Sequence, residues 1–182
     1  MPAILTDHST AIELATSLLL LAVVAAAVYT DLRRGLIYNR LTYGAAIAGL
    51  ALNTIGYGLD GSLSSVKGWL VGAGLFVVFF LLKAMGAGDV KLLAAVGAIK
   101  GPLFVLNAFV FTGLAGGVIA IIYIIRRRRV HYFLTSMGLY LHDMVFLRRA
   151  PAAGEAGASS FSFPYGLPIA IGSVAALFLS LW

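Results

Sequence analysis

From Leu103 to Ile125 the chain carries no charged residue. As an α-helix that run measures about 35 Å at ~1.5 Å per residue, enough to cross a hydrocarbon core of ~30 Å. From Ile12 to Tyr29 the only charge is Glu13, at the very start of the run. Lipid offers no hydrogen bonds, so such segments must satisfy their own backbone, and helices do this within one segment. The chain is 61% hydrophobic and 11% charged, with mean hydropathy +0.99. A soluble domain of 182 residues would have too little polar surface to cover that content. The sequence therefore reads as an all-α, polytopic integral membrane protein. It forms one domain over residues 1–182, with about six transmembrane helices and a cytoplasmic interfacial helix.

The first span reads Ile12 to Tyr29. No Lys or Arg precedes it and it is long for a signal-peptide core, so it reads as a membrane helix rather than a cleaved leader. The second runs from about Leu41 to Ile55. A Gly/Ser turn region, Gly56 to Ser65, separates it from a third, Val66 to Ala84. One straight helix from Val90 to Ile125 would be about 54 Å long, and Gly101-Pro102 breaks it into a short helix, Val90 to Lys100, and a longer one, Leu103 to Ile125. Between Arg126 and Arg149, the residues Phe133, Met137, Tyr140, Leu141 and Met144 recur at helical spacing between clusters of Arg. That pattern suits an interfacial helix on anionic lipid, followed by a small-residue linker that completes the segment 126–163. The last helix reads Phe163 to Trp182.

Positive charge sets the orientation. Arg33, Arg34, Arg40, Lys83, Lys91, Arg126 to Arg129, Arg148 and Arg149 fall at one side, and only Lys67 and Lys100 at the other. The first side is therefore expected to be cytoplasmic, with both termini outside. The net charge of +6 reports topology, since the basic residues are not interleaved with aromatics on a soluble face; no nucleic-acid partner is expected. With no cysteine there is no disulfide, CxxC redox centre or thiolate zinc site. His8, His131 and His142 form no metal-binding spacing. No metal and no cofactor is expected.

Of the acids, Asp31 and Asp89 stand out. Each lies at the end of an apolar helix, and the topology puts both at the cytoplasmic side. Alone, Asp31 reads as a solvated interfacial acid and Asp89 as a helix cap. Together, in a partly dry site, two carboxylates share a proton. The ionised one then activates water while the protonated one hydrogen-bonds a scissile carbonyl. Helix dipoles suggest an order: Asp89, at a helix start, ionises first, and Asp31, at a helix end, keeps the proton. Gly86 and Gly88 lack Cβ and leave room for a backbone to approach.

These residues resemble the type IV prepilin peptidases, intramembrane aspartyl proteases with a GxGD signature. "GAGD" at Gly86–Asp89, followed by "VKLLAAVGA", is similar to that signature. "TDLRRGLIYNRLT" resembles the segment around the first aspartate, with Asp31, Arg33, Arg34, Ile37 and Asn39; Tyr38 stands where the family usually has Pro. "FPYGLPIAIG" resembles the opening of the final helix at Pro164, Tyr165, Gly166 and Ile169. The resemblance implies Asp31 and Asp89 as catalytic residues, with Gly86, Gly88, Lys91, Asn39, Pro164, Tyr165 and Gly166 around the substrate. It implies a prepilin or pseudopilin substrate, cut after a glycine at the cytoplasmic face of the inner membrane. Larger members carry a cytoplasmic segment with paired CxxC motifs and an N-methyltransferase activity. This cysteine-free chain looks like the short form associated with Flp (tight-adherence) pili, for which no methyl transfer is expected. An archaeal-type preflagellin peptidase is the related alternative. A small transporter or proton channel relaying protons through the two aspartates is a reading of another class.

Overall fold

The computed structural model describes residues 2–82, 85–126 and 165–179. They form α1 (Pro2–Arg34), α2 (Asn39–Leu81), α3 (Ala87–Lys100), α4 (Pro102–Arg126) and α5 (Gly166–Phe178); among the described residues there is no strand. The interfacial helix and linker expected over 126–163 lie beyond the described residues, apart from Arg126 itself. Two compact units make up the chain, residues 1–115 with 164–182, and residues 116–163. The second is described only as the last turns of α4.

Among the described residues three helices are able, by length and composition, to cross a membrane: Ser9–Arg34, Asn39–Leu81 and Pro102–Ile122. α2 has 43 residues, about 65 Å if straight, which is twice the hydrocarbon core. It is not straight. Gly58 has φ 61 and ψ −136, and a Cβ placed on Gly61 would lie 2.0 Å from the carbonyl oxygen of Asn53. Residues eight apart in a straight helix stand about 12 Å apart along its axis, so the chain folds back at Gly58. The turn expected over Gly56–Ser65 is thus a single break, and residues 59–65 are already helical. Glycine alone takes the positive φ cheaply.

Contacts along α3 show the direction of each arm. In the first arm of α2, Asn39 meets Lys91, Gly49 meets Ile99, and Asn53 meets the carbonyls of Ala98 and Ile99. That arm runs parallel to α3. In the second arm, Ser65 meets Ala98, Gly68 meets Gly97, and Gly72 meets Leu93 and Ala94; it runs antiparallel. α1 is also antiparallel, since Ser17 receives a hydrogen bond from Lys100 at the far end of α3.

α3 is the core. Leu92, Leu93, Val96 and Ile99 are fully buried, packed with Leu20, Val24 and Ala27 of α1, Val105 and Ala108 of α4 and Ile169 of α5. A helix apolar all round is one buried all round. Phe76 of α2 meets Phe109 of α4 edge-on, with ring centroids 5.6 Å apart. Leu14, Leu18, Ile47, Leu70 and Leu114 face outward, as a lipid-solvated surface requires.

Candidate active site

Three helix ends meet at one end of this bundle. α1 stops at Gly35, whose φ of 62 lets its N–H close on the carbonyl of Asp31 at 2.8 Å. Asp31 therefore lies in the last turn of α1, with its side chain 8% exposed. α3 starts just after Gly86, where the chain is extended (φ −79, ψ 153). Asp89 is in its first turn, 7% exposed. Its Oδ2 accepts the Gly86 N–H at 3.1 Å, and its own N–H donates to the Gly86 carbonyl at 3.2 Å. α5 begins at Gly166, whose N–H donates to Asp31 Oδ2 at 2.9 Å in a buried setting.

The charge of Asp31 reaches Asp89, although 58 positions separate them in the sequence. Neither forms an ion pair among the described residues. The neighbouring arginines turn to tyrosines instead: Arg33 lies over the Tyr29 ring at 5.3 Å, and Arg34 donates to the Tyr38 hydroxyl. Each aspartate has one oxygen tied to a helix N-terminus, while Oδ1 has no hydrogen bond among the described residues. An acid–base pair needs this combination of fixed orientation and a free reacting oxygen.

The glycines allow this approach. A Cβ on Gly166 would lie 2.7 Å from Asp31 Oδ2, and one on Gly88 would lie 3.1 Å from Ile37 Cβ. Ile37, in the short link between α1 and α2, thus seats the Asp31 loop on the Gly-Ala-Gly-Asp step. Tyr165 is the half-buried residue before α5. Burial, and then the charge of Asp89, push its phenol above the ordinary tyrosine value, so it stays protonated. Two residues beyond Asp89, Lys91 donates to Asn39 Oδ1 at 2.9 Å and lies over the Tyr43 ring at 5.5 Å. Of the residues singled out by sequence, Asp31, Asp89, Gly86, Gly88, Tyr165 and Gly166 come together. Asn39 and Lys91 form a linked pair beside them, and Pro164 lies outside the described residues.

The sequence locates α5 and marks Gly166, but it does not show the bond from the Gly166 N–H to Asp31. The expectation that Asp31 keeps the proton rests on α1 alone, whose C-terminal dipole faces it. The N-terminus of α5 points at the same carboxylate with the opposite sign, so both aspartates have a helix N-terminus and the simple asymmetry disappears. The signal was the Tyr-Gly step before an apolar run, a helix start with no Cβ at its first residue. Among the described residues no three His, Asp or Glu side chains cluster as a metal site would need.

Residues 18–121, which contain both aspartates, match the model of the type IV leader peptidase family. The chain belongs to that family. It is also similar to a prepilin leader peptidase/N-methyltransferase from Legionella pneumophila, 32% identical over 119 residues. That alignment covers 62% of this chain and 42% of the relative, so the chain spans less than half the length of that family member. No solved structure matches this leader peptidase family chain.

Proposed function

We propose that this chain is an intramembrane aspartic endopeptidase that removes the leader peptide of prepilins or pseudopilins after a glycine, at the cytoplasmic face of the inner membrane. The observation that carries this reading is the pair of buried aspartates at one end of the bundle, each oriented by one helix N-terminus. With one proton between them, the ionised carboxylate takes a proton from water. The water oxygen bonds to the scissile carbonyl carbon, and the protonated carboxyl passes its proton to the carbonyl oxygen. Collapse of the tetrahedral species breaks the C–N bond, and the leaving amine takes a proton from the pair. Tyr165, as a neutral phenol beside Asp89, adds a donor at the same place.

The substrate's hydrophobic segment would lie along the lipid-facing helix grooves, and Lys91 with Arg33, Arg34 and Arg40 would meet an acidic residue after the cut. The absence of cysteine supports a short, Flp-pilus form without methyl transfer. Both termini would lie outside, with membrane lipid as a further partner and no nucleic acid. A proton channel would place its acids near mid-membrane, whereas these stand at helix ends; that favours hydrolysis. A preflagellin peptidase would share the chemistry and differ in substrate.

Co-expression of a candidate prepilin with the wild type, Asp31→Asn and Asp89→Asn tests the reading. Each variant should lose the leader-cleavage mobility shift, a fall of at least about a thousandfold, while still inserting in the membrane. Wild-type cleavage by either variant would remove the pair from the chemistry.

A further inference from the structure

We propose that the end of the bundle opposite the aspartates binds the headgroup of a zwitterionic phospholipid bearing a primary ammonium. A cavity of about 350 Å³ opens there between α1, α2 and α3, lined by Glu13, Asn53, Tyr57, Asp60, Ser64 and Lys100 among others. That volume is within the range of small-ligand sites, about 300–1,000 Å³. Its lining carries both signs of charge. Lys100 Nζ donates to Ser17 Oγ at 2.8 Å and to the Glu13 backbone carbonyl at 3.4 Å, which fixes the ammonium, and the Glu13 carboxylate acts on it through its charge without closing to an ion pair. Among the described residues the carboxylates of Glu13 and Asp60 form no ion pair either. Two carboxylates beside one ammonium suit a ligand that brings both a cation and an anion. The ligand's ammonium would sit at Glu13 and Asp60, and its phosphate at Lys100.

The walls are held in place independently of any ligand. Asn53 Nδ2 donates to the carbonyls of Ala98 and Ile99 at 3.2 and 3.0 Å, tying the first arm of α2 to the end of α3. The break at Gly58 then brings Asp60 round to line the same space. Position selects a lipid over a soluble ligand. The cavity lies at the end of α3 and at the break in α2, where the apolar runs of these helices stop, the level at which lipid headgroups are expected. Near it Leu14, Ile55 and Leu63 are 62%, 68% and 55% exposed, a rim suited to acyl chains. Hydrolysis at the other end has no use for these groups, so the proposal stands apart from the peptidase reading.

The full chain, reconstituted in nanodiscs of phosphatidylglycerol with or without phosphatidylethanolamine, gives the test, with bound lipid counted by native mass spectrometry. The wild type should retain one phosphatidylethanolamine that phosphatidylglycerol does not replace. Glu13→Gln with Asp60→Asn should weaken that retention by about tenfold or more, the scale of a lost charged hydrogen bond, and Lys100→Met should weaken it as well. The melting temperature in detergent reports folding. If the double variant does not fold, Asp60→Asn alone, at an exposed side chain, should show the same loss at smaller amplitude. Equal retention of the two lipids, a preference for phosphatidylglycerol, or unchanged retention in the folded variants would overturn the proposal. Displacement by water-soluble phosphoethanolamine at equal concentration would overturn the choice of a lipid.

Discussion

At the scale of single residues, Gly166 is the sharpest case. Its N–H holds Asp31 Oδ2 at 2.9 Å, and a Cβ in its place would sit 2.7 Å from that oxygen. Gly166→Ala must push the carboxylate away and lose a charge-assisted bond of about 1.5–3 kcal/mol. Leader cleavage per folded molecule should slow about ten- to a hundredfold, and the melting temperature should fall by several degrees with the lost bond. A large drop in stability with cleavage per folded molecule unchanged would make Gly166 a packing residue only. The pH dependence belongs to the same scale. A pair that works with one proton loses activity when it gains a second or gives up the first, so cleavage should follow a bell against pH. Tyr165 titrates above the ordinary tyrosine range, pushed by burial and by Asp89. It is therefore protonated across the bell, and the alkaline limb belongs to the aspartates. Tyr165→Phe should lower the maximum and leave both limbs where they are; an alkaline limb that moved would assign it to the phenol. The two acids were legible in the sequence because charge is rare in apolar runs and its cost marks it out. The bond from Gly166 was not, because a backbone N–H leaves no trace in residue type.

At the scale of elements, helix packing through glycine decides whether α3 can be enclosed. A Cβ on Gly68 would lie 2.0 Å from the carbonyl oxygen of Gly97, and one on Gly97 would lie 2.0 Å from that of Gly68. Backbone cannot move aside as a flexible side chain does. Overpacking of this kind costs about 1–3 kcal/mol or more. Gly68→Ala or Gly97→Ala should therefore lower the melting temperature in detergent clearly and reduce the yield of folded protein. Gly74, in the same arm, has nothing within 4 Å, and Gly74→Ala should be neutral or slightly stabilising. Equal melting temperatures for all three variants would show that α2 and α3 do not pack at this distance. The apolar runs located every described helix, since hydropathy and length report solvation directly. Ends were harder to read. α1 continues to Arg34, beyond the Tyr29 boundary that hydropathy suggests, because a polar last turn in the headgroup layer is still helix. The composition of Gly56–Ser65 suggested a loop, yet Gly58 alone carries the reversal. Gly and Ser are tolerated in membrane helices that pack closely, so their density does not measure loop length.

At the scale of the whole molecule, α3 has only 14 residues, about 21 Å of helix, less than a bilayer core needs. Its enclosure resolves the mismatch: surrounded by α1, both arms of α2, α4 and α5, it need not match the lipid thickness itself. Asp89, in the first turn of this short central helix, is buried. Asp31, Asp89, Arg33, Arg34, Arg40 and Lys91 then belong to one end of the bundle, and Glu13, Gly58, Asp60 and Lys100 to the other. The excess of Arg and Lys at the aspartate end is the pattern of a cytoplasmic side. The chain has no cysteine, so single cysteines report sidedness without background. Leu36, 62% exposed, lies in the α1–α2 link at the aspartate end, and Leu59, 83% exposed, follows the break at Gly58 at the other. With a membrane-impermeant maleimide, Leu36→Cys should react in inverted inner-membrane vesicles and be protected in intact spheroplasts, and Leu59→Cys should show the reverse. If both cysteines react from the same side, the helices do not span as the bundle requires. If the two sides are exchanged, the bundle stands but the aspartates face outward, and a leader removed at the cytoplasmic face could not be their substrate.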